Sequence, residues 1–240
     1  METSEWKADV LLAGNWRTAT SVLLSNGRLH IVVDTGMPHE AHLLLGALEQ
    51  RGLAPADIHQ VINTHFHIDH ALNNILFPNS LIYASQESYD WCCSLYSDFG
   101  DEQQWEKLLL KYYPEMASYE HALRHMPQMR KFTLRWWDLN RLGARSQLRW
   151  IEQHALPDGL EAFFTSGHVP GHVSVIIPHT PHPTIIAGDA ILSRANDDRV
   201  LTMIPHKREQ ARRDRERVLA LGERIFPGHD DEFTHPPNSH

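Results

Sequence analysis

Three histidines and an aspartate fall within six residues, at His65, His67, Asp69 and His70, in the run Thr64-His65-Phe66-His67-Ile68-Asp69-His70. They follow Ile58-His59-Gln60-Val61-Ile62, an apolar stretch that reads as a buried strand. A strand end or tight loop carrying His-x-His sets two neutral nitrogens side by side, and the Asp-His after it turns a second pair of ligands toward a neighbouring ion. One histidine after a strand reads as an ordinary polar loop. Four ligand-type residues at this spacing read as half of a metal site, and the fold has to bring the other half from distant sequence.

Three later segments offer that half in one grammar, in which an apolar strand ends, a glycine follows and a potential ligand comes next. They are Phe163-Phe164-Thr165-Ser166-Gly167-His168, Thr184-Ile185-Ile186-Ala187-Gly188-Asp189 and Ile225-Phe226-Pro227-Gly228-His229. The glycine lets backbone approach the site closely. A second histidine, His172, follows His168 four positions on, so this segment presents two candidates.

Around these motifs the pattern alternates between strand and helix. Ala8 to Ala13 and Ala19 to Ser25 read as strands, Asn26-Gly27 as a two-residue hairpin turn, and Arg28 to Val33 as the returning strand, ending at Asp34-Thr35-Gly36. His39 to Gln50 carries Ala41, Leu44, Leu45 and Leu48 at helical spacing and is closed by Gly52. Ser80 to Ala84 is a further strand. From Ser85 to about Gly143 the pattern turns helical and aromatic, with Pro114 and Pro127 expected to divide it into several helices. His121 and His125 share a helix face there and read as structural.

Strands return at Gln147 to Ile151, Glu161 to Thr165, Val173 to Pro178 and Thr184 to Ala187, with solvated turn histidines at His179 and His182. Lys207 to Leu221 reads as a helix whose interleaved acids and bases form a solvated face, and Arg224-Ile225-Phe226 as a short last strand. The expectation is an α/β fold: two facing sheets with helices outside, in a single domain over residues 1–240 with a helical insertion at about 85–143.

Composition removes several classes. The formal net charge is -8 and the basic residues are scattered, where a nucleic-acid surface would show a basic stripe. The two cysteines, Cys92 and Cys93, are adjacent and form no disulfide framework. No apolar run is long enough to span a bilayer and the N-terminus lacks a secretory pattern, so the expectation is a soluble cytoplasmic protein without membrane or nucleic-acid partners. A homodimer is compatible with the sequence.

The ordered motifs Asp34, His65 to His70, Gly167-His168, Gly188-Asp189 and Gly228-His229 resemble those of the metallo-β-lactamase superfamily. The resemblance implies an αββα sandwich of two mixed sheets with two metal ions at one edge. Zinc suits the nitrogen and oxygen ligands, and manganese, iron or cobalt are compatible with them. Carried over position by position, it implies His65, His67 and His168 at the first metal, Asp69, His70 and His229 at the second, and Asp189 bridging. Asp34 would hydrogen-bond the His-cluster loop from behind, and His172 would stand behind the ligands or face the substrate. Two ions sharing a water lower its pKa from about 15.7 toward about 7, which is the chemistry of a hydrolase. Asp69 would then orient the nucleophile and carry its proton to the leaving group.

Within that superfamily the text is most similar to acyl-homoserine lactonases, in Ile31 to Pro38, the His cluster, Thr165 to His172 and Gly228-His229-Asp230. Many of those lactonases carry a catalytic Tyr three residues after the bridging Asp, where this chain has Leu192. The expected activity is hydrolysis of a lactone or ester of a small molecule bearing an acyl group. Two alternatives stand beside it: a thioesterase of the hydroxyacylglutathione hydrolase type acting on a different thiol carrier, and a mononuclear iron sulfur dioxygenase using the first site alone. Trp91, Tyr96, Trp105, Tyr112, Tyr113, Tyr119, Trp136 and Trp137 of the insertion either line an acyl pocket or pack the insertion's own core.

Overall fold

Side chains alternate along a strand, so the strands of this chain divide their apolar residues between two faces, and that division sets the layers. The computed structural model describes residues 5–115, 120–178, 182–195 and 205–235, with backbone alone for 120–123. One sheet runs in chain order through β1 (Lys7–Leu12), β2 (Ser21–Ser25), β3 (His30–Val33), β4 (Gln60–Ile62), β5 (Leu81–Ala84) and β6 (Leu148–Trp150). It is antiparallel from β1 to β3 and parallel from β3 to β6. The other orders β7 (Glu161–Phe164), β8 (Val173–Ile177), β9 (Thr184–Gly188), β10 (Arg224–Pro227) and β11 (Phe233–Thr234) side by side, with β9 and β10 the parallel pair.

Val22, Leu24, Ile31, Val33 and Ile62 of the first sheet meet Val175, Ile177, Ile186 and Phe226 of the second in one buried cluster between the sheets. Their strand neighbours Leu23, Val32, Val61 and Ile82 point the other way, onto Leu44 and Leu48 of α1 (Ala41–Glu49) and Cys92 and Leu95 of α3 (Gln86–Phe99). On the far side Ile185, Ala187 and Ile225 pack on Val218 of α6 (Arg208–Leu221). The layers are therefore helix, sheet, sheet, helix, and strands covered on both faces read as continuous apolar runs. Among the described residues no helix is long and apolar enough to cross a membrane.

Between β5 and β6 lie α3, α4 (Trp105–Tyr112), α5 (Glu120–Trp136) and two short 3-10 turns. Pro114 follows the end of α4, but Pro127 lies inside α5, which runs on through it. Its ring removes one intrahelical bond without ending the helix. The expected two-residue turn at Asn26-Gly27 is a four-residue loop, because the Asn26 side chain accepts from the Arg28 and Leu29 amides while Ser25 pairs with His30. Two elements were not anticipated: the single-turn α2 (Ile68–Ala71) and the two-residue β11. His179, Tyr119 and the side chain of His121 lie outside the described residues; His125 is exposed.

Candidate metal centre

All the candidate ligands leave the ends of strands along one edge of the sandwich. β4 runs into Asn63-Thr64-His65-Phe66-His67, and α2 starts at once, carrying Asp69 and His70 on its single turn. From the other sheet β7 leads to His168, β9 to Asp189 and β10 to His229. A register shift at Phe226/Pro227 brings Pro227 opposite Gly188, so the Asp189 and His229 loops leave side by side. The glycines that precede ligands make this possible: a Cβ on Gly228 would run into Asp189 Oδ1, and one on Gly188, whose φ is 52°, would lie 2.8 Å from Thr64 Cβ.

Two groups result. In the first, His67 Nδ1 stands 3.0 Å from both His65 Nε2 and His168 Nε2, and Asp189 Oδ2 lies 3.1 Å from His168 Nε2 and 3.8 Å from His65 Nε2. In the second, Asp69 Oδ2 is 3.5 Å from His229 Nε2. The other oxygen of Asp189 reaches over to this group, 3.3 Å from His70 Nε2 and 3.4 Å from His229 Nε2. Within each of the sets His65, His67, His168, Asp189 and Asp69, His70, His229, the ligand atoms lie within 4.8 Å of one another.

Behind the rings, four histidines commit their remaining nitrogen to an oxygen. His70 Nδ1 donates to Asp34 Oδ2 at 2.8 Å. Asp34 also accepts the Thr64 amide at 2.8 Å and the Thr64 hydroxyl at 2.7 Å, so that hydroxyl is left to accept from His65 Nδ1 at 3.1 Å. His229 Nδ1 donates to the Asn15 carbonyl at 2.9 Å, and His67 Nε2 faces the Tyr113 hydroxyl at 3.1 Å. Rear hydrogen bonds of this kind fix which nitrogen is free for a metal. The front atoms Asp189 Oδ1 and Oδ2, His70 Nε2 and His229 Nε2 are buried with no hydrogen-bond partner. Buried polar atoms are ordinarily paired, so converging unpaired nitrogens and carboxylate oxygens fit a pair of divalent cations.

The electrostatics differ between the two groups. Burial, and then the neighbouring imidazoles, hold His65 and His67 well below the ordinary imidazole range, in the neutral form that ligates. Burial also works downward on His70 and His229, but Asp189 and the other carboxylates beside them outweigh it and raise both. Burial alone would push Asp189 up; His70, His229 and His168 instead hold it well below the usual carboxylate range. Asp189 is thus an anion wedged between two sets of imidazoles.

The family model of the metallo-β-lactamase superfamily matches residues 14–229, a span that contains every one of these candidate ligands. The chain belongs to the metallo-β-lactamase superfamily. Human metallo-beta-lactamase domain-containing protein 1 is 28% identical over 216 residues, which are 90% of this chain and 63% of the human protein. The chain therefore spans somewhat less than two thirds of that relative. Among solved structures, a probable metal-dependent hydrolase from Staphylococcus aureus matches with a TM-score of 0.64 at 16% identity, over 98% of this chain and 92% of that one. AidC, a dizinc quorum-quenching lactonase solved with a product bound, matches with a TM-score of 0.58 at 19% identity, over 95% of this chain and 85% of its own. At these identities the two structures show a shared fold and nothing more.

Around this superfamily site the remaining candidates take distinct places. Asp34 sits directly behind the cluster, in the left-handed region at φ 56°, a conformation that Asp tolerates better than most residues. His172 is turned away from the two groups: its Nε2 accepts the Asp189 amide at 3.0 Å and its Nδ1 donates to the Thr165 hydroxyl at 2.8 Å. Leu192 carries no hydroxyl, and its carbonyl accepts the His229 amide at 2.8 Å. Of the aromatic residues in the helical segment, Tyr96 packs on Trp137 with ring centroids 4.2 Å apart, and Trp91 stands 6.2 Å from the His67 ring and 5.4 Å from that of Tyr113. Sequence reasoning gave no role to Thr64 or Asn15 and named Tyr113 only as one of eight aromatic residues of the insertion; what each does comes from partners that the fold supplies. It also counted Asp214 among the interleaved acids and bases of a solvated helix face on α6. Glu209, Arg212 and Glu216 do pair at its surface, but Asp214 is fully buried.

Proposed function

We propose that the chain is a dinuclear metal hydrolase that cleaves an ester or lactone of a small acyl-bearing molecule. The observation that carries this reading is Asp189, whose two carboxylate oxygens face one ligand group each. His65, His67 and His168 would hold one ion, Asp69, His70 and His229 the other, with Asp189 shared between them. Two zinc ions, or manganese, iron or cobalt in their place, supply Lewis-acid polarisation and activation of water near neutral pH when bound.

The chain's own residues would do the rest. Asp69 is the partly exposed carboxylate of the set, 18% accessible against none for Asp189, which suits it to take a proton inside the site and release it to a leaving group. Tyr113 supplies a second polar group. If His67 uses Nδ1 as a ligand, its Nε2 carries the hydrogen and donates it to the phenol oxygen, which leaves the phenol hydrogen to donate to a substrate oxygen. Burial holds this phenol well above its usual pKa, so it stays a donor across the working range. Trp91, against Tyr113 and His67, offers an apolar surface to the acyl group and excludes water beside the first ligand set. The second ligand group favours two ions over the single iron of a sulfur dioxygenase.

Elemental analysis of protein purified without added metal, followed by turnover of a lactone, ester, thioester and phosphodiester panel, tests the reading. Two ions per chain with lactone or ester turnover is the expected result. Preferred thioester turnover would move the assignment to a thioesterase, and one iron per chain with oxygen consumption would overturn it.

A further inference from the structure

We propose that Asp214 is a positioning residue for His168 and that α6 braces the loops of the first ligand set; this rests on the ligand assignment proposed above. α6 is rich in exposed Arg and Glu, yet Asp214 is completely buried on it. Its Oδ2 accepts the Gly167 amide at 2.9 Å, and its Oδ1 accepts from Gln210 Nε2 at 2.8 Å and Arg217 Nη1 at 3.0 Å. The grip on the His168 turn continues on either side. The Gly167 carbonyl accepts the Lys207 amide at 3.0 Å, and the His168 carbonyl accepts the His206 amide at 2.8 Å. A Cβ on Gly167 would run into the backbone of Ala211, so the turn and the helix touch directly.

Three backbone polar groups of a two-residue turn thus end on residues 206–214. The next residue on the helix reaches the other loop of the site, because Arg215 Nη1 donates to the Ser193 carbonyl at 3.2 Å, four residues beyond Asp189. Docking alone does not ask for this chemistry. Asp214 occupies an apolar-stripe position between Ala211 and Val218, where a hydrophobic residue docks a helix without the cost of desolvating a carboxylate. What a carboxylate adds is a charge-assisted bond to a backbone amide, short and directional, at the residue before the imidazole that has to be aimed.

Zinc titration against a chromophoric chelator, with a thermal melt of the metal-free protein, tests the proposal on the wild type, Asp214→Asn and Val218→Ala. The wild type should bind two ions. Asp214→Asn should weaken one of them by roughly 10- to 100-fold and leave the other unchanged. Val218→Ala removes buried apolar contact from the same helix, and should lower the melting temperature with both affinities intact. If Asp214→Asn does not fold, Arg217→Gln loosens the other carboxylate oxygen from an exposed position and should give the same selective weakening on a smaller scale. Variants at 214 and 217 that keep both wild-type affinities, or that change only the melting temperature as Val218→Ala does, overturn the proposal. A wild type that binds no zinc overturns the ligand assignment instead.

Discussion

At the scale of residues, the site depends on which nitrogen of each ring carries a hydrogen. Asp34 settles this for His70, so Asp34→Ala strands a buried N–H and frees the ring to change tautomer. The variant should lose affinity for one ion by about 10- to 100-fold, read as metal content after dialysis; full retention of both ions would count against a positioning role. Tyr113→Phe should keep both ions and lose roughly 10- to 100-fold in turnover of the best ester or lactone, a loss in kcat more than in KM. Unchanged turnover would remove the phenol from the reaction. The candidate ligands were legible in the sequence because four cluster just beyond one strand end and the other three each follow a strand end through a glycine. The pairing of Tyr113, one of eight aromatic candidates, with His67 was not, nor was the burial of Asp214, because the surroundings that give them meaning come from distant parts of the chain. Even so, an acid in the stripe Ala211, Asp214, Val218 is a trace that a helical reading can find.

At the scale of elements, glycine divides into positions that serve contact and positions that only loosen the chain. Gly228→Ala should displace the Asp189 carboxylate and abolish binding of both ions, read by elemental analysis. Gly46 in α1 has nothing within 4 Å of an added Cβ, so Gly46→Ala should stabilise the fold by about 0.5–1 kcal/mol, visible as a raised denaturation midpoint with metal content unchanged. The longer strands were legible because their apolar runs are bounded by turn residues. β11 is too short to show a period, α2 is one turn hidden inside the ligand motif, and α5 passes through a proline that the local rule would use to end it.

At the scale of the whole molecule, the ligand groups draw on both sheets, so ions bound there would tie the halves of the sandwich together. Binding to the native state alone contributes about 2.7 kcal/mol per site at a hundredfold excess over Kd, and in a chain of this size each kcal/mol moves Tm by about 2–4 °C. Chelation should therefore lower the melting temperature, and zinc should restore it; a melt indifferent to both would mean the sheets need no such tie. The helical segment has a different standing. β5 and β6 are parallel neighbours, and residues 85–147 lie between them. Parallel strands cannot be joined by a tight turn, since the chain has to cross back over the sheet before it can pair again. The segment is thus the crossover itself. Redesign can exchange it for another set of helices but cannot trim it away, and on the reading proposed above any replacement has to return a hydroxyl to the place where Tyr113 meets His67.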